Sequence, residues 1–213
     1  MRRILRGVLV LSVFSLLAVV GARAQDAKAS TLTCVGLYSE TDAGYVSYRV
    51  GKGEWVVIKV GDKIPANAEI RVNVDRDWVE VTPTGNPNAV YEIAGSQSGD
   101  VVVKVPDIVK GKPRTVSFPK ASGGKPDAKF KDKLAVTQYL GRQIYLTAEG
   151  DSKDIKYGDV LDIKGKVTII AINNTITLMN SSGAVTNVIG PLKFEVEKVL
   201  TNQKLYKFLN VPR

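Results

Sequence analysis

The residues able to do chemistry in this chain are few. It has no histidine and a single cysteine, Cys34. Imidazole general bases, Ser-His-Asp and Cys-His nucleophile systems, and zinc sites built from clustered His and Cys are therefore excluded. An internal disulfide needs a second cysteine and is excluded with them. Carboxylates remain. Asp75 and Asp77 stand beside Trp78, and Asp151 and Asp154 precede a Gly-Asp pair. Two carboxylates can hydrolyse a glycosidic bond, their separation setting the stereochemical outcome. Both pairs lie among turn-forming residues, where nothing in the sequence raises a carboxyl pKa for acid catalysis. Asp151-Ser152-Lys153-Asp154 also lacks the graded oxygen-ligand spacing of a calcium loop. No catalytic residue, metal or cofactor is expected, and the chain reads as a non-enzyme.

Binding is the alternative. Trp55, Trp78 and Tyr91 are candidates for an aromatic platform against a glycan, or else are core and rim aromatics. Lys110, Lys112 and Arg114 open a Pro-, Gly- and Lys-rich stretch, 106–133. The chain has 30 Lys and Arg against 21 Asp and Glu; setting aside Arg2, Arg3, Arg6 and Arg23 lowers the excess to +5, and 106–133 alone carries an excess of that size. Such a strip either docks on an anionic polymer such as peptidoglycan, teichoic acid or lipid headgroups, or is a solvated, self-repelling linker. Basic residues are not interleaved with stacking aromatics, so nucleic acid is not an expected partner.

The N-terminus is an export signal by its pattern. Arg2, Arg3 and Arg6 precede an apolar run from Gly7 to Val20, followed by Ala22-Arg23-Ala24. The run is shorter than the ~20 residues of a spanning helix, and cleavage after Ala24 would leave Gln25 first. Cys34 lies well past the apolar run, in Thr31-Leu32-Thr33-Cys34, without the small residue that precedes a lipidated cysteine. A periplasmic or otherwise extracytoplasmic location follows, with no membrane segment after signal cleavage. Cys34 is then a buried inert thiol or a cross-linking one.

The elements that must position these residues are strands. Gly44 to Val81 aligns without gaps on Gly141 to Leu178, keeping Gly44/Gly141, Tyr48/Tyr145, Gly61/Gly158 and Asp62/Asp159 identical and apolar positions in phase. We read a signal peptide at 1–24, a first β module at 25–105, a basic linker at 106–133 and a second module at 134–213. Val56, Ile58 and Val60, then Ile70, Val72 and Val74, alternate as half-buried strands do. Thr84-Gly85-Asn86-Pro87, Ser98-Gly99-Asp100 and Ser181-Ser182-Gly183 supply turns. The fold class expected is all-β: two tandem β-sandwich or β-roll modules related by an internal repeat. Asn202 to Leu209 reads as a short helix or a last strand.

In both copies an apolar strand meets Gly-Asp, then x-Ile/Leu, then an alternating strand: Gly61-Asp62-Lys63-Ile64 and Gly158-Asp159-Val160-Leu161. Glycine permits a left-handed turn, the aspartate can accept backbone N–H bonds, and the apolar residue plugs the core. Gly61, Asp62, Ile64, Gly158, Asp159 and Leu161 are thus structural residues. The arrangement resembles the FecR domain, a β-rich extracytoplasmic module. That resemblance implies a sensory or interaction role; the family's namesake is membrane-held and signals to a cytoplasmic partner, whereas no anchor follows the signal here. The function expected is an envelope scaffold or interaction subunit of a periplasmic assembly, such as an appendage sheath, with other envelope proteins as partners. The alternatives are a peptidoglycan or cell-wall polymer binding module and an accessory periplasmic sensor. Mass spectrometry of the protein purified from envelopes should find Gln25 at its N-terminus; an intact Met1 or a lipidated Cys34 would contradict the export reading.

Overall fold

Two local rules, strand alternation and a tight glycine turn, generate most of the architecture. The computed structural model describes residues 31–38, 46–73 and 75–201. The expected signal peptide and the segment Asn202 to Leu209 lie outside the described residues. The first half runs β1 (Leu32–Tyr38), β2 (Val46–Val50), β3 (Val56–Val57), β4 (Lys63–Ile64), β5 (Ala68–Val72), β6 (Trp78–Pro83), β7 (Ala89–Ala94), β8 (Val101–Lys104) and α1 (Val105–Ile108). Then come β9 (Arg114–Thr115) and a 3₁₀ turn (Ala128–Phe130). The second half runs β10 (Lys133–Leu140), β11 (Gln143–Leu146), β12 (Ser152–Asp154), β13 (Val160–Asp162), β14 (Lys166–Ile169), β15 (Thr175–Met179), β16 (Val185–Ile189), β17 (Leu192–Glu195) and α2 (Val196–Leu200). The protein is all-β.

Its strands form one nine-stranded sheet, ordered β16-β15-β10-β1-β6-β7-β9 with β13 on β10 and β4 on β1, and two four-stranded sheets, β3-β2-β5-β8 and β12-β11-β14-β17. The pairing order within the second half follows that of the first. In each half a four-stranded sheet faces part of the long sheet. Leu32, Cys34, Ile64, Val79 and Val81 thus meet Val46, Ala68, Ile70 and Val72 in one apolar cluster. Leu134, Val136, Leu161, Ile176 and Leu178 meet Tyr145, Val167, Ile169 and Phe194 in the other.

The Gly-Asp turns clip each half to its first strand. Gly61 (φ 94°) and Gly158 (φ 77°) both take the left-handed region, where glycine has no Cβ penalty. Gly61 N–H donates to the Cys34 carbonyl at 2.8 Å and Cys34 N–H donates to the Asp62 carbonyl at 3.0 Å; Gly158, Val136 and Asp159 repeat these bonds at 2.8 and 2.9 Å. Asp62 Oδ2 accepts the Lys59 N–H at 2.8 Å and Asp159 Oδ2 the Lys156 N–H at 3.0 Å. Ile64 and Leu161 are fully buried.

The halves are joined edge to edge. β1 and β10 pair in parallel, Gly36 opposite Tyr139 and Leu37 opposite Leu140. A bulge between Cys34 and Gly36 shifts the phase of β1, so Leu32 and Cys34 serve one cluster while Val35 and Tyr38 serve the other. Gly36 is needed at the crossing: a Cβ there would lie 2.2 Å from the Tyr139 ring.

The segment 106–133, read from its composition as a linker, is packed rather than free. It supplies the end of α1 and β9, which pairs with β7, and it buries Val116 and Phe130. Pro106 falls in the first turn of α1, where its missing N–H would have had no helical partner. Neither α1 nor α2 was expected from periodicity, because each is about one turn long.

Ile64→Ala should cost ~2–5 kcal/mol in chemical denaturation, as core truncations do. Gly61→Ala should cost about 1–2 kcal/mol for the left-handed backbone alone, since a Cβ there meets nothing within 4 Å. Gly158→Ala should cost more, because its Cβ would stand 2.3 Å from Val116 Cγ1. Equal losses in the two glycine variants would refute that difference.

Candidate functional site

Of the aromatic and basic residues singled out in the sequence, all but Lys112 are engaged by partners of their own. Trp55 lies under two guanidiniums, Arg49 at 4.5 Å and Arg71 at 4.2 Å from its ring centroid. Trp78 stacks on Tyr38, with centroids 3.9 Å apart and planes 5° from parallel, and its indole N–H donates to the Tyr139 hydroxyl at 2.7 Å. Tyr91 donates its hydroxyl to the Val109 carbonyl at 3.4 Å. Lys110 pairs with Asp107 at 2.9 Å on the surface. Lys112, with Tyr91, Ile93, Val103 and Ile108, lines an open groove of about 400 Å³. Arg114 turns toward the seam between the halves, where Glu80 and the Tyr157 carbonyl accept its Nη2.

That seam holds a fully buried carboxylate. Glu80, on β6, has no exposed surface. Its Oε1 accepts from Arg114 Nη2 and its Oε2 accepts the Tyr157 N–H at 2.9 Å. Burial, then the charge of Glu80, pushes the Tyr139 phenol well above its ordinary range. The same two causes push Tyr157 to about 12. Lys156 Nζ meets Glu92 at 2.6 Å beside them. These contacts bind protein to protein.

Of the two carboxylate pairs, one member is buried and another is ion-paired. Asp77 is buried and its carbonyl accepts the Gly95 N–H at 2.8 Å. Asp154 is held by Arg142 at 3.0 Å. Among the described residues no group of three or more His, Cys, Asp or Glu is placed to hold a metal ion. No described helix is long and apolar enough to cross a membrane.

No family model, curated protein or solved structure matches this chain. The site must be read from geometry.

One surface stands apart, and the motif-based reading passes over it. β16 ends the nine-stranded sheet, and among the described residues nothing pairs with its outer edge. Val185 is 55% and Ile189 63% exposed, and on the neighbouring turn Ile170 is 42% and Ile172 72% exposed. The turn adjoins the end of β16, since a Cβ on Gly190 would lie 2.9 Å from the Ala171 carbonyl oxygen. From Val167 to Leu192 the sequence contains no charged residue, in a chain of which 24% is charged. That gap is the signal in the sequence that could have located the surface. The matching hairpin of the first half, β6–β7, carries Glu80 and Glu92, and its outer edge is covered by β9. Exposed sheet edges are normally blunted by lysine, proline or bulges because they recruit other strands. β16 has no lysine or proline.

The buried ionisable groups set a pH dependence. Cys34 is raised from 9.0 to about 12, by burial first and then by the Asp62 charge. Cys34, Tyr139 and Tyr157 all hold their protons more tightly folded than unfolded, so their stabilisation is complete below their unfolded values and is lost as pH rises from those toward the folded values. Thermal melts should fall progressively from about pH 9 upward. At pH 8 a thiol reagent should label Cys34 only as fast as the protein unfolds; immediate labelling of the native protein would contradict its burial.

Proposed function

We propose that this is a non-enzymatic exported envelope protein, a scaffold or interaction subunit of an extracytoplasmic assembly, which meets its partners through the β15–β16 edge. The observation that carries this reading is the exposed, charge-free strand β16 with Val185 and Ile189 on it. The centres of protein–protein interfaces are depleted in charge and rich in apolar surface. An unpaired strand adds backbone hydrogen bonds to that apolar contact. The reading agrees with the resemblance to FecR modules, whose implied role is contact rather than catalysis. It is also favoured over a polyanion-binding role by the fate of Arg114 in the basic stretch, since it is taken up by the buried Glu80.

The test is native sizing of envelope extracts. The wild-type protein should elute in a complex that survives high salt, because apolar and backbone contacts are not screened. Ile189→Lys should release it, while its own stability moves by no more than ~0.5 kcal/mol, as for other surface changes. Elution as a monomer in low salt, or release by salt alone with pelleting on purified sacculi, would overturn the reading.

A further inference from the structure

The parity of β16 says more about what can pair with it. Gly190 N–H donates to the Asn174 carbonyl at 2.9 Å and Asn180 N–H to the Ala184 carbonyl at 3.0 Å. Residues 184 and 190 thus aim their backbone groups at β15, and so, by alternation along the strand, do 186 and 188. Val185, Asn187 and Ile189 therefore present theirs outward. The same three side chains lie on the more exposed face of the strand, whereas Val188 is buried.

We propose that β16 pairs with β16 of a second copy of this chain, antiparallel about a two-fold axis through Asn187, so that the long sheet continues across two molecules. This rests on the reading of the β15–β16 edge as the contacting surface and names its occupant. In that register Asn187 faces Asn187 of the second copy and Val185 faces its Ile189. All are outward-directed residues, so every exposed backbone donor and acceptor of one strand meets its complement on the other. An isologous contact demands such self-complementarity. The paired side chains then put Val185 and Ile189 against each other, the two most exposed apolar residues of β16.

Charge decides for a second copy over a polyanion. Without Arg2, Arg3, Arg6 and Arg23 the chain still carries a net charge of +5, so two copies repel over most surfaces. They can meet without like-charge repulsion where charge is missing, and Val167 to Leu192 is such a stretch. The contact also repeats a way of joining that the chain already uses and continues the same sheet. The chain joins its own halves by edge pairing of β1 and β10 within the same sheet. In the first half the corresponding edge, β7, is satisfied by β9 of the same chain; among the described residues β16 has no such cover. A pairing of two five-residue strands is small, so the association should be reversible on dilution.

The experiment uses the full mature chain in sedimentation and in oxidative cross-linking. The wild type should approach twice the monomer mass as concentration rises. Ile189→Lys and, as a second variant, Val185→Lys should stay monomeric with unchanged melting curves. Asn187→Cys should cross-link to itself many-fold faster than Val56→Cys on the remote strand β3, because hydrogen-bonded antiparallel partners have Cα atoms about 5.5 Å apart, within disulfide reach. A dimer that tolerates both lysine variants, or equal cross-linking at 187 and 56, would place self-association elsewhere and overturn the proposal. A wild type that stays monomeric while its salt-resistant envelope complex is still lost in Ile189→Lys would mean that β16 accepts a strand of another protein. The interaction reading would then stand and this proposal fall. Dimerisation only after removal of residues 202–213 would mean that the chain's own terminus occupies the edge, which also overturns it.

Discussion

A carboxylate with no access to water sits where the two halves of this protein meet. Removing a charged group from water costs several kcal/mol, recovered only with good geometry and every lone pair engaged. Glu80 is held by groups from two places: Arg114 from the segment after α1 and the Tyr157 N–H from the turn before Gly158. Neither is near Glu80 in sequence. The chain can bury this charge only by bringing both halves and the segment between them to one point. Breaking a buried pair by removing one partner leaves an uncompensated charge, so alternatives that separate the halves are penalised.

The rest of the seam follows from that constraint. With Glu80 fixed, β6 holds Trp78 over Tyr38 and directs its indole N–H to Tyr139. Tyr139 in turn needs the space above Gly36, which any Cβ would fill. Val116, carried in by the Arg114 segment, packs against Gly158. The second Gly-Asp turn is thereby locked from outside as well as by its own hydrogen bonds. The first has open space at Gly61. Two turns that make the same bonds thus stand in unequal surroundings, because only one of them adjoins the seam.

The same asymmetry governs the edges. The first half spends its polar and basic residues on the seam and on β9, leaving its hairpin covered. The second half has an outer hairpin without charges and, among the described residues, without cover. Building a long open sheet from two halves leaves two terminal strands, here β9 and β16, and only β16 lacks a charged residue. On the proposed reading, the feature that completes the fold on one side creates the contacting surface on the other.

Much was legible without coordinates. Alternation at Ile70 and Val72 placed β5, the glycines placed their turns, and Gly-Asp-x-Ile/Leu placed Ile64 and Leu161 in cores, because each depends on neighbours along the chain. The 106–133 segment was not legible: prolines, glycines and lysines describe a linker until Arg114 meets a buried glutamate and Val116 a buried glycine. Trp55, Trp78 and Tyr91 were identifiable as aromatics but not as residues with separate partners. The charge-free run was present in the sequence, yet nothing local distinguishes a buried hairpin from an exposed one. By itself the sequence determined strand periodicity, turn positions and the chemistry the protein lacks, since these follow from residue type and spacing. Only the tertiary structure decided that Glu80 is buried, that the halves share one sheet and that β16 lies at its end, because burial and edge position depend on contacts between residues far apart in the chain.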